Sequence, residues 1–166
     1  MDEEEWELAP ENAHPKARAA LADDYFWDCT DDNSPFGNDT GADTLAFFRE
    51  WRRDHPRGKP LRFLSRLLRD WEATDDHWEV TDPAEVGRLA ADDRFSFDAR
   101  DDALIALAFG QVVLEGRVEP EVKVRALTAL HRQSLPAALE RWPDEYHAER
   151  RNRLAAMVAI LQQDWS

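Results

Sequence analysis

One cysteine, Cys29, is all the thiol chemistry in this 166-residue chain. No internal disulfide can form, a usage expected of a reducing compartment. Glycine is almost as scarce, at six residues, and none falls into a Gly-rich phosphate loop: there is no GxGxxG, no Walker loop and no GxSxG nucleophile turn. The five histidines, His14, His55, His77, His131 and His147, form no HxxxH or HExxH pair, which removes the usual helical zinc site. Long apolar runs are missing as well. The longest, Ala103 to Leu114, is too short to span a bilayer and reads as a buried helix. Alternation of apolar and polar residues is confined to "HWEVT" around Trp78 and Val80, too little for a sheet. There is no internal repeat and no low-complexity linker.

Acidic residues are abundant. Thirty-five Asp and Glu against 21 Lys and Arg leave a net charge of −14, which repels nucleic acid and anionic membrane and favours cations, basic proteins or basic peptides. The surplus is uneven. Residues 19–48 carry −7 with no Lys or Arg, residues 49–69 carry +6, and residues 70–102 carry −9. The opening "MDEEEWELAP" is acidic where a secretory signal is basic and then apolar. With the single cysteine this places the chain in the cytoplasm, with residues 1–10 as a flexible acidic N-terminus. The length fits one domain, 1–166, able to bury a sizeable core.

Helical patterns dominate. Ala13, Ala17, Ala20 and Leu21 share one face, with Pro15 in a first turn. A helix over about Thr40–Asp54 buries Leu45, Phe47, Phe48 and Trp51. "DHPRGKP" ends it, and a third helix, about Leu61–Trp71, carries the stripe Leu61, Leu64, Leu68, Trp71. Asp82, Pro83 and Glu85 make a helix start. Asp98 as cap with Asp101 three residues on starts a central helix over about 99–115, apolar on all sides. Pro120 opens another helix, and "WPDEYHAERRNRLAAMVAILQQDW" reads as the last and longest, with Leu154, Met157, Val158, Leu161 and Trp165 on its apolar face. The expected architecture is an all-α bundle of six or seven helices.

The stretch Ser34–Pro56, "SPFGNDTGADTLAFFREWRRDHP", supports two readings. In the structural one, Thr40 or Asp39 caps the helix, Asp43 completes a capping box, Gly37 and Asn38 turn the chain, and Phe36 plugs the loop onto the core. In the other, Asp31, Asp32, Asp39 and Asp43, beside Asp28 and Asn33, offer hard oxygen ligands to a cation. EF-hand spacing from Asp32 matches at Gly37 and Asp43 but puts Phe36 at a ligand position, so the metal reading stays the alternative. The basic block 49–69 either holds an anion or pairs with its acidic neighbours. Cys29 stands among acids, which disfavour a thiolate.

Seven tryptophans are many for this length. Most suit the core or its edges, but Trp6 and Trp78 sit among acids. With Asp75, Asp76 and Glu79 they are the candidate partner-binding residues, since an exposed aromatic ringed by carboxylates suits a basic protein.

Residues Glu11 to Arg52 resemble the YfeS-like family of small bacterial proteins: the segment His14-Pro15-Lys16-Ala17, the pair Phe26-Trp27, and the run Ser34-Pro35-Phe36-Gly37-Asn38-Asp39 leading into a helix that ends near Trp51. The resemblance covers a quarter of the chain and supplies no catalytic residues to carry over. The functional expectation is therefore a non-enzymatic, cofactor-free acidic module that binds a basic protein partner and neither nucleic acid nor membrane. The alternative is a metal-dependent enzyme or cation-binding protein built on residues 28–43.

Overall fold

The computed structural model describes residues 6–166, and the expectation for residues 1–5 lies outside them. Eight α-helices make up the fold, with no strand among the described residues. They are α1 (Pro15–Ala20), α2 (Asp39–Asp54), α3 (Pro60–Asp70), α4 (Pro83–Asp92), α5 (Arg94–Glu115), α6 (Pro120–Gln133), α7 (Pro136–Leu139) and α8 (His147–Leu161). Short 3₁₀ turns cover Pro10–Asn12, Asp24–Trp27 and Asp144–Tyr146. Proline opens α1, α3, α4, α6 and α7, where its missing N–H leaves no helical bond unmade and its fixed φ suits the first turn.

The core is organised around α5, which packs against α1, α2, α3, α4 and α6. Seventeen of its 22 residues are buried, so the expectation of a central buried helix holds, although Arg100, Asp101, Asp102 and Gln111 are buried with the apolar residues. Its expected start does not hold. α5 begins at Arg94, capped by Asp93, whose carboxylate accepts from the Ser96 N–H at 3.0 Å. Asp98 and Asp101 therefore lie inside the helix. At its other end Gly116 takes φ +64°, and the ring of His14 lies where a Cβ would stand, so the chain reverses there on the one residue type that fits. α5 is also the longest helix, whereas α8 has 15 residues and Trp165, though buried, lies beyond its end.

Trp6 and Leu8 pack against the main core, so the described part of the N-terminal stretch is seated on the protein. A smaller cluster of Val86, Ala90, Phe97 and Ala138 joins α4, α5 and α7. Phe47, expected inside, is 44% exposed, while Leu45 and Phe48 are buried. α2 turns Leu45 and Phe48 towards Gly110 of α5, and the helical period carries Phe47 to the outer side. The fragment "HWEVT" forms no strand: it belongs to a loop pinned from below by Arg132, whose guanidinium donates to the carbonyls of His77 and Val80.

Candidate functional site

The acidic loop is built from local turns. Asp28 accepts from the backbone N–H and the hydroxyl of Thr30, which holds its carboxyl below the usual carboxylate range. Asp31 accepts from the Asn33 N–H. The Ser34 hydroxyl donates to the Phe26 carbonyl and accepts from the Phe36 N–H, which seats Phe36, 1% exposed, in the core. A Cβ on Gly37 would stand 1.7 Å from the Asp31 carbonyl oxygen, and one on Gly41 would stand 2.1 Å from that of Pro35. Both glycines are thus required by close backbone approach rather than by a positive φ. The cap of α2 is neither Thr40 nor Asp39 but Asn38, whose Oδ1 accepts from the Gly41 N–H at 2.7 Å. The register moves because Asp39 already has helical geometry as the first residue of α2. Asp43 faces solvent instead of closing a box.

The loop's carboxylates do not converge. Among the described residues no group of three or more His, Cys, Asp or Glu side chains is placed to hold a metal ion. Asp31, Asp32, Asp39 and Asp43 therefore form no such group. Instead Asp23, Asp24, Asp28, Asp32, Asp39 and Asp43 all point outward, and none of them forms an ion pair among the described residues.

Trp6 and Trp78 stand against different helices, and each meets a cation of its own chain. Arg49 of α2 lies 5.3 Å from the Trp6 ring and Arg125 of α6 lies 4.7 Å from the Trp78 ring. Both indoles are half-buried against the core. Of the carboxylates named with them, Asp75 accepts from the Ser65 hydroxyl at 2.6 Å. Hydrogen bonds from its own backbone and Thr74 hold Asp76 below the usual carboxylate range. Glu79 is exposed.

The basic block divides. Arg52 donates to Glu115 and to the carbonyls of His55 and Gly58, which clamps the end of α2 onto the end of α5. Arg49 is taken up by Trp6. Arg57, Lys59, Arg62, Arg66 and Arg69 are exposed and form no ion pair among the described residues. Where the acidic loop meets the basic end of α2 there is a cleft of about 670 Å³, with Cys29 and Phe36 on one wall, Arg49 and Arg52 on the other and Leu45 and Leu114 at its base.

A buried ionic network was not foreseen. Arg132 and Asp101 are both 0% exposed and paired through two hydrogen bonds, and Gln133 donates to Asp101 at 2.9 Å. Burial pushes the Asp101 carboxyl up, and the Arg132 guanidinium opposes that push. Arg141 forks onto both oxygens of Asp102 at 2.8 and 2.9 Å, which raises its own affinity for the proton against the effect of burial. Arg94 bonds Asp98 and the carbonyl of Ala137. Arg150, 4% exposed, lies 4.7 Å from the Trp142 ring, and burial pushes it down to about 10. The available signal was three aspartates, Asp98, Asp101 and Asp102, within a helix otherwise apolar. Taking them for the helix start hid it. The network ties α5 to α6 and to the chain around α7, and Asp101 is fully buried within it.

No family model matches the chain, and no solved structure is similar to it. Among curated proteins it is similar to the uncharacterized protein YfeS of Escherichia coli (strain K12), 28% identical over 145 residues. The match takes in 87% of this chain and 59% of that protein, so the chain spans a little over half the length of the curated relative it matches. The resemblance carried by Glu11–Arg52 thus extends, as a likeness to that protein, over most of the chain.

Proposed function

We propose that this protein is a non-enzymatic binding module that acts in the cytoplasm and docks a basic protein partner through its acidic loop face. The observation that carries this reading is the fate of the carboxylates. The aspartates inside α5 are matched by arginines, while Asp23, Asp24, Asp28, Asp32, Asp39 and Asp43 stand exposed on one loop and the start of α2 and form no ion pair among the described residues. Trp27, half-buried with its indole donating to the Leu21 carbonyl, gives that face one rigid aromatic. Such a surface steers a cationic partner at a rate that falls as salt screens it. Trp6 and Trp78, covered by Arg49 and Arg125, belong to the frame rather than to the contact.

The test compares the wild-type chain with a variant carrying Asn at the six aspartates. The wild type retains basic proteins from a lysate at low salt and releases them at high salt, and the variant retains none of them. Equal retention by both proteins sinks the proposal. Calcium, magnesium and manganese are expected to leave the Tm of the wild type unchanged. A rise with any one of them would revive the alternative of a cation site on residues 28–43.

A further inference from the structure

The other half of the basic block forms a surface that the described residues leave uncovered. α2 and α3 make a hairpin through residues 55–59, and the groove between them is lined by Phe47, Trp51, Phe63, Leu67 and Trp71, with one charge of each sign, Arg66 and Asp70, so the positive excess lies beside it along α3. Trp51 and Phe63 are 5.5 Å apart, ring centre to ring centre, and Phe47 projects from α2 at 44% exposure. The groove encloses about 280 Å³. This lies just below the range of small-ligand cavities, about 300–1,000 Å³, and suits one or two anchoring side chains. Along the outer face of α3, Arg62, Arg66 and Arg69 recur at i, i+4 and i+7, and with Ser65 they line a shallow depression beside the groove. Like charges at this spacing repel one another on a helix, and no carboxylate of the described chain pairs with them.

We propose that this face docks an acidic amphipathic segment of a partner protein, with a leucine or aromatic anchor seated in the Phe47–Trp71 groove and carboxylates set along Arg62, Arg66 and Arg69. Charge complementarity chooses the occupant. The three arginines span about 10 Å of helix, close to one Debye length at physiological salt, so a short segment bound there feels them and is screened from the distant acids. A nucleic acid or an anionic membrane extends well beyond that patch and meets the −14 field of the whole chain. This site and the acidic loop face are different surfaces, and neither proposal rests on the other.

Three designed helical peptides test the inference: one of Glu, Ala and Leu with the leucines on one face, the same with Lys for Glu, and the same with Ser for Leu. Titration into the full chain is followed by tryptophan fluorescence, which reports Trp51 and Trp71, and by calorimetry. The Glu/Leu peptide alone binds. Its affinity falls at least tenfold in the triple variant Arg62→Glu/Arg66→Glu/Arg69→Glu and at least tenfold in Phe47→Ser. It is unchanged in the six-aspartate variant of the acidic loop face. The changed side chains are exposed, so both groove variants keep the helical circular dichroism of the wild type. No binding of the Glu/Leu peptide, equal binding of its Lys counterpart, or affinity untouched by both groove variants overturns the proposal. Sedimentation velocity covers the remaining occupant. Self-association of the wild type that the triple variant abolishes would make the face a contact between copies of this chain and overturn the acidic-segment reading.

Discussion

At Gly37 and Gly41 the backbone passes so close to Asp31 and Pro35 that a single methyl group has nowhere to go. Gly37→Ala is expected to destabilise the fold by about 1–3 kcal/mol through overpacking, read as a lower urea midpoint with an unchanged slope. Gly87, which has open space where a Cβ would stand, is the control: Gly87→Ala lies within α4 and is expected to stabilise by about 0.5–1 kcal/mol. The Asp101–Arg132 pair is the other residue-scale lever. Arg132→Met leaves Asp101 charged and buried with Gln133 as its remaining partner, a loss of about 3–5 kcal/mol. Adding Asp101→Leu to Arg132→Met restores much of that loss, because two desolvated charges leave together. A double-mutant cycle in urea measures the difference. If Arg132→Met and the double variant are equally unstable, the pair is not the reason for the loss.

At the scale of the element, the start of α5 decides how the central helix is read. The sequence pattern points to Asp98 as the cap, and the structure uses Asp93, five residues earlier. Ser96 hydrogen bonds hold the Asp93 carboxyl below its usual range. A depressed folded value means that the unfolded chain binds the proton more readily, so this contribution is present above the unfolded value and is lost as pH falls through the folded one. Asp93→Asn keeps a capping oxygen but not its charge. The wild type is therefore expected to have the higher Tm near neutral pH, with the gap closing as the pH drops through the carboxylate range. A gap that widens on acidification would contradict the assignment. Helix existence was legible here from Pro83, Pro120 and the apolar run 103–114. The boundaries were less so, because several aspartates satisfy the same local capping rule and only packing selects among them.

At the scale of the whole molecule, charge is sorted by burial. The interior aspartates of α5 meet arginines from α5, α6 and the segment after α7, while the loop 23–43 and the outer face of α3 carry opposite charges at the surface that form no ion pair among the described residues. Self-repulsion across an exposed acidic surface weakens the compact state, and salt screens it. The Tm of the wild type is expected to rise with added sodium chloride, and to rise less in the six-aspartate variant. A Tm insensitive to salt in both proteins would show that the exposed carboxylates lie too far apart to oppose folding. No helix of the described chain is long and apolar enough to cross a membrane.

The sequence by itself determined the helical class, the Asp82 cap of α4, the prolines in the first turns of α1, α4 and α6 and the buried character of α5, because periodicity, proline at a first turn and local hydrogen-bonding side chains act within a few residues. It also carried the family likeness through the Ser34–Asp39 run. The tertiary structure decided which cap α5 uses, that Phe47 faces outward, that Trp6 and Trp78 stand against arginines, and that Arg52 closes onto Glu115 while Arg62, Arg66 and Arg69 form no ion pair among the described residues. These are contacts between residues tens of positions apart, and no local rule of spacing fixes which of several equally good partners comes within reach once the helices pack.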